Sequence, residues 1–172
     1  MDGTGPIRKA YASILRNDFE QAIHWFEQAI ALDPDNAAYH YKLSITCARS
    51  GRLAKAIHHA SQAVAREPDN QTYLFHLGHL KAKELIARAE ESLAQGEDPH
   101  MAVALLKEAV KLDPLSSEAH LLLAGAWAEL EEYAHAVQAL KESLRLNPGQ
   151  QTALDMLEQY KRKLHAQLSV SE

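Results

Sequence analysis

The 172-residue sequence has a single cysteine, Cys47, and a lone thiol cannot build an intrachain disulfide framework, so a reducing compartment is the simpler reading. A secretory leader is not expected either: the opening MDGTGPIRKAY lacks a basic segment followed by an apolar core. Nowhere do about 18 apolar residues run together without charge, as a membrane span requires. A soluble, cytoplasmic chain with no membrane partner is expected. Cations are the minority, 18 Lys and Arg against 23 Asp and Glu for a net charge of −5, whereas polyanion binders carry a basic surplus on one face. Nucleic acid is therefore not an expected partner. Sustained period-two alternation and hairpin dipeptides between β-branched runs are missing, which excludes a sheet. Also missing are a Gly-rich phosphate loop and a nucleophile elbow. The carboxylate pairs Glu90-Glu91 and Glu131-Glu132 fall at helix ends or turns and read as solvated surface. No enzyme activity, catalytic residue or cofactor is expected.

What the chain does have is a rhythm. The segments ALDPDN, AREPDN, KLDPLS and RLNPGQ place Pro34, Pro68, Pro114 and Pro148 at separations of 34, 46 and 34 residues, the self-similarity of a stacked array. Between the prolines the apolar residues have helical spacing. Phe19, Ala22, Ile23, Phe26, Ala29 and Ile30 precede Pro34, and Leu53, Ala56, Ile57, Ala60 and Val64 precede Pro68. Ala102, Leu106 and Ala109 come before Pro114, with Tyr133, Ala136, Leu140 and Ser143 before Pro148. Steps of three and four put each set on one helical face. Each proline stops its helix because it has no N–H to donate and biases the preceding residue away from the α region. Asp35-Asn36, Asp69-Asn70 and Ser116-Ser117 then offer side-chain oxygens to cap the next helix.

These helix-turn-helix units resemble the tetratricopeptide repeat, whose pattern runs from an aromatic through Leu-Gly and Tyr to small residues and a closing proline. Unit two carries Leu43-Ser44, Cys47, Ala56, Ala60, Ala63 and Pro68, and unit four carries Leu123-Ala124, Trp127, Ala136, Leu140, Ser143 and Pro148. In unit three Leu77-Gly78 matches early, and Ala102, Leu106, Ala109 and Pro114 match late. Unit one has a weak front half, with Pro6 where the aromatic belongs, but Ala22, Phe26, Ala29 and Pro34 are in register. The resemblance implies an all-α fold, a right-handed α-solenoid within one domain spanning 1–172. Its units are about 3–36, 37–70, 71–116 and 117–150, and a capping helix follows over 151–168 with Leu154, Leu157, Tyr160, Leu164 and Leu168 on one side. Lys161, Arg162 and Lys163 near the end of that helix oppose its macrodipole.

Twelve extra residues lie in unit three, and no breaker other than Gly78 interrupts Gln71 to about Gln95. The expectation is one long first helix, ended by Gly96 and followed by a helix that Asp98-Pro99 starts. Its front half should pack on unit two and its back half on the helix beginning at Pro99. At ~1.5 Å and ~100° per residue the insertion would displace the later units by about 18 Å and turn them by about 120°.

Family members line a concave surface with first-helix residues. Carried onto this chain, that implies Ile7 and Tyr11 with Ile14, then Tyr41 and Ile45, then Phe75 and His79, with Arg8, Lys42, Arg49, His76 and Lys83 around them. The expected partner is a protein or peptide with an apolar stretch and acidic character, steered by the basic rim. Two readings of the aromatics stand: a groove floor, or contacts between neighbouring helices. The chaperone-tail clamp of some family members is not matched, since its positions carry Ile7 and Tyr11, Lys42, Thr72 and His76. The uncapped first unit, with Ile7, Ile14, Leu15 and Trp25, suggests a homodimer or self-assembling structural protein as the alternative. Of the ten histidines, His76 and His79 share a helical face, but a zinc site needs third and fourth ligands that no neighbour supplies. No metal is expected.

Overall fold

The computed structural model describes residues 4–170, and among them there are nine helices and no strand. They are α1 (Thr4–Leu15), α2 (Phe19–Leu32), α3 (Ala37–Arg49), α4 (Leu53–Arg66), α5 (Gln71–Ala94), α6 (Pro99–Leu112), α7 (Ser117–Glu129), α8 (Tyr133–Leu146) and α9 (Gln151–Val170). The four prolines act as expected. Asp33, Glu67, Asp113 and Asn147 leave the helical region immediately before them, with ψ of 78, 75, 84 and 81°, as the proline ring demands of its predecessor. The following caps are also as the sequence implies. Asn36 Oδ1 accepts the Tyr39 N–H at 3.2 Å, Asn70 Oδ1 the Tyr73 N–H at 3.3 Å, and Ser116 Oγ the Ala119 N–H at 3.1 Å.

The turns within the pairs share a second device. Asn17, Gly51, Gly96 and Glu131 have φ of 58, 77, 70 and 59°. The N–H of the next residue reaches back to Ser13, Cys47, Ser92 and Trp127 carbonyls at 2.9 to 3.1 Å. This left-handed closure satisfies carbonyls at the helix end. It costs Gly51 and Gly96 nothing sterically, whereas Glu131 carries the strain of a side chain at positive φ.

The chain divides into two compact units, one up to Lys81 and one from Ala82 onward. In the N-terminal unit, Phe26, Leu43, Cys47 and Leu80 fill a core with Ala10, Ile23, Ala56 and Ala60. In the C-terminal unit, Leu106 and Leu140 fill one with Ala82, Ile86, Ala89, Ala102, Ala109, Ala124 and Ala139. Alanines let helix backbones approach, and the few large residues occupy what remains. Ser44 and Ser143 sit in these seams and donate across them, to the Ala56 carbonyl at 2.7 Å and the Ser117 carbonyl at 2.9 Å.

The boundary falls inside α5, which is continuous as the sequence predicts. From Asn70 to Gly96 is eleven residues longer than from Asn36 to Gly51, so all but one of the extra residues lie in the helix. Tyr73, Leu77 and Leu80 form its inward stripe up to Lys81, and Ala82, Ile86, Ala89 and Leu93 beyond it. The step of two from Leu80 to Ala82 breaks the three-and-four spacing, leaving two stripes out of phase. Helix α9 departs from expectation. Ala153 is buried and Leu157, Tyr160 and Leu164 are half-buried, but Leu154 and Leu168 are exposed.

A histidine pair links α3 to α4. His40 Nε2 lies 3.3 Å from the Pro34 carbonyl, which can only accept, so Nε2 carries the proton and Nδ1 is bare. His59 Nδ1–H then donates to His40 Nδ1 at 3.0 Å. Burial lowers both pKa values, that of His59 to about 4, with the charges of His40, His58 and Lys55 adding to the effect and Glu27 opposing it. Arg66 also donates to Pro34 O, at 2.9 Å, and lowers the His40 value further.

Two predictions concern the N-terminal unit. Unfolded histidines bind protons first, so the stability from His59 is complete above about 6.5 and drains away as pH falls towards about 4. Urea midpoints should therefore drop more steeply over this window than in His59→Gln, and identical profiles would contradict the pairing. Burial also pushes the Cys47 thiol up to about 11, against the lowering effect of Lys55 and Arg52, which leaves almost no thiolate near neutrality. Thiol reagents should label Cys47 only as fast as the unit opens; labelling at a free-thiol rate without urea would refute this.

Candidate partner-binding site

In the N-terminal unit the first helices of successive pairs, α1, α3 and the front of α5, bring Tyr11 to Lys42 and Tyr41 to His76. Lys42 Nζ stands 5.2 Å above the Tyr11 ring, and Tyr11 meets Phe26 edge-on at 6.0 Å. Tyr41 packs against Tyr73 at 4.8 Å and edge-on to His76 at 5.2 Å. Since Ser44 donates its hydroxyl proton to the Ala56 carbonyl, it accepts from His76 Nε2–H at 2.9 Å. Burial, and then the charge of His79, lowers the His76 pKa. His76 is thus a neutral donor in a bonded chain. Tyr41 is half-buried between rings, in line with the helix-contact reading of that aromatic.

The others differ in exposure. Phe75 is 59% exposed and Tyr11 40%, large apolar surfaces that packing leaves to solvent. Ile7 is half-buried on the core and Ile45 is half-buried, while Arg8 is exposed. Arg49 lies over Phe19 at 4.9 Å, and His79 is half-buried. Lys83 is exposed and belongs to the C-terminal unit.

The C-terminal unit holds a groove that the residues singled out from the sequence do not include. It encloses about 630 Å³ between α7 and α9 and the turn after α5, with Leu93, Leu121, Leu122, Met156 and Tyr160 as walls. Gly125 lies in its lining, and a Cβ added there would meet nothing within 4 Å. Continuing into unit four the first-helix register used for units one to three reaches Leu121 and Gly125, so the signal was present in the repeat pattern.

Among the described residues no three His, Cys, Asp or Glu side chains converge to hold a metal ion, and no helix is long and apolar enough to cross a membrane.

Two repeat-family models match the sequence, one described as TPR repeat over residues 10–51 and one as tetratricopeptide repeat over residues 86–150. No curated protein matches it. Solved structures do. A MamA protein is 18% identical with a TM-score of 0.56, the match covering 95% of this chain and 82% of that one. MamA residues 41 to the end from Desulfovibrio magneticus RS-1 are 13% identical with a TM-score of 0.56, over 98% of this chain and 94% of that one. At such identities the likeness is one of fold. The two matched segments together span more than half the sequence, and both lie on helix pairs closed by the repeated proline turns; the chain belongs to the tetratricopeptide-repeat family.

Proposed function

We propose that the chain is a non-enzymatic scaffold that captures a segment of another protein on the first-helix face of its N-terminal unit. The observation that carries this reading is the exposure of Tyr11 with Lys42 over its ring, together with the exposure of Phe75. An apolar stretch of the partner covers the rings and supplies most of the affinity. A nearby carboxylate is drawn by Lys42, Arg8 and Arg49, which favours an acidic amphipathic segment and makes association weaker in salt. Tyr41 and His76 support the face from behind, held by their ring contact and the Ser44 hydrogen bond.

One observation favours the second reading, self-assembly through the first helix pair. Leu15 closes α1 at 86% exposure, and Ile14 beside it is only half-buried. A second copy is one way to cover such an end.

Phe75→Ala and Tyr11→Ala should each weaken capture of an acidic amphipathic peptide by about 1 kcal/mol or more, Phe75→Ala at an unchanged melting temperature and Tyr11→Ala with some loss from its contact with Phe26. Titration calorimetry showing undiminished affinity would sink the first-helix face as the capture surface. Sedimentation velocity at rising concentration tests the alternative: self-association that Leu15→Asp abolishes would support it, and a monomer throughout would dispose of it.

A further inference from the structure

The two compact units differ in charge. Up to Lys81 the sequence has nine Lys and Arg against eight Asp and Glu, and from Ala82 onward nine against fifteen. The groove of the C-terminal unit reflects its half, for its charged lining residues are Glu97 and Glu129, both acidic. Glu97 is held in place, its Oε2 accepting the Ser92 hydroxyl at 2.7 Å and its N–H reaching the Ser92 carbonyl at 3.1 Å. Glu129 lies near enough to Tyr160 for its charge to join burial in raising the phenol pKa, with Lys163 opposing from beyond the groove lining.

Gly125 bears on what the groove is for. A glycine inside a helix costs about 1 kcal/mol relative to alanine, a cost that usually reflects a close neighbour. Here no neighbour needs the space, since a Cβ at Gly125 meets nothing within 4 Å. The glycine leaves the floor open between Leu121, Leu122 and Met156. The volume is that of an ordinary ligand site.

From these features we infer that the C-terminal unit has its own docking groove, which takes a cationic amphipathic segment of a partner protein. Its apolar side chains seat over Gly125, and its Lys or Arg side chains reach Glu129 and Glu97. The inference rests on the scaffold reading above but uses a different surface and the opposite charge preference. One chain can then hold an acidic and a basic segment at once.

The test uses the full chain with 13C-methyl-labelled methionine, because Met156 lines the groove while Met101 does not. Three synthetic peptides of equal length serve as probes: a Leu/Lys amphipath, a Leu/Glu amphipath and a Ser/Lys control. The Leu/Lys peptide should shift the Met156 resonance more than that of Met101, which shares a neighbouring cavity with Glu97, and bind about tenfold or more tighter than either other peptide. Gly125→Leu should reduce that affinity by about tenfold without lowering the melting temperature. Glu129→Lys, which leaves the floor open and alters an exposed side chain, should turn the preference towards Leu/Glu. Equal or stronger Met156 shifts with Leu/Glu on the unaltered chain would overturn the cationic class while leaving the scaffold reading intact. An unmoved Met156 with every peptide would overturn the groove itself, and capture by Phe75 and Tyr11 would still decide the scaffold reading separately.

Discussion

Close approach of helices over alanine is the constraint on which the rest depends. Ala22, Ala29, Ala56, Ala63, Ala102, Ala109 and Ala136 are wholly buried, each at a seam where a larger side chain would push two backbones apart. Phe26, Leu43, Leu106 and Leu140 then fill the remaining space without exposure. A single helix pair has too little apolar area to stand alone, so neighbouring pairs supply the cover. This arrangement uses one side of each first helix for packing and frees the other. Away from the seams, Phe75 and Tyr11 are exposed in one unit, and Leu121 and Gly125 line the groove of the other.

Helix α5 accommodates an insertion without breaking the repeat. Added residues in a helix need no new hydrogen-bond scheme, because each forms the same bond to its own turn, while added residues in a loop would leave backbone groups to be satisfied. The turn at Gly96 accordingly keeps the geometry of the turns at Asn17, Gly51 and Glu131. What changes is which side of the helix is buried. The break in spacing at Leu80 and Ala82 lets one helix serve two cores, and the division into compact units falls there.

The polar groups inside the N-terminal unit have structural employment. His40, His59, His76 and Ser44 are all hydrogen-bonded, and His40 and His76 each end on a carbonyl of the turn or helix they face, directly or through Ser44. Histidine there supplies directional bonds at neutral charge, which burial enforces by lowering the pKa. Cys47 behaves as a small hydrophobe for the same reason, its thiol held protonated by burial.

Helix ends before the prolines, caps, the stop at Gly96 and the unbroken α5 could be read from the sequence because each depends on a residue and its near neighbours in the chain. Proline restricts the residue before it, Asn or Ser caps two or three residues ahead, and helical spacing says which side of a helix faces its own partner. Tertiary structure alone decided the fate of individual side chains. Tyr41 and Phe75 hold equivalent repeat positions, yet one packs between Tyr73 and His76 and the other stands in solvent. The pairing of His40 with His59, the exposure of Leu154 and Leu168, and the empty space over Gly125 were likewise invisible in the pattern. Periodicity fixes direction around a helix axis, but whether space in that direction is filled depends on side chains many residues away, which only the folded chain brings together.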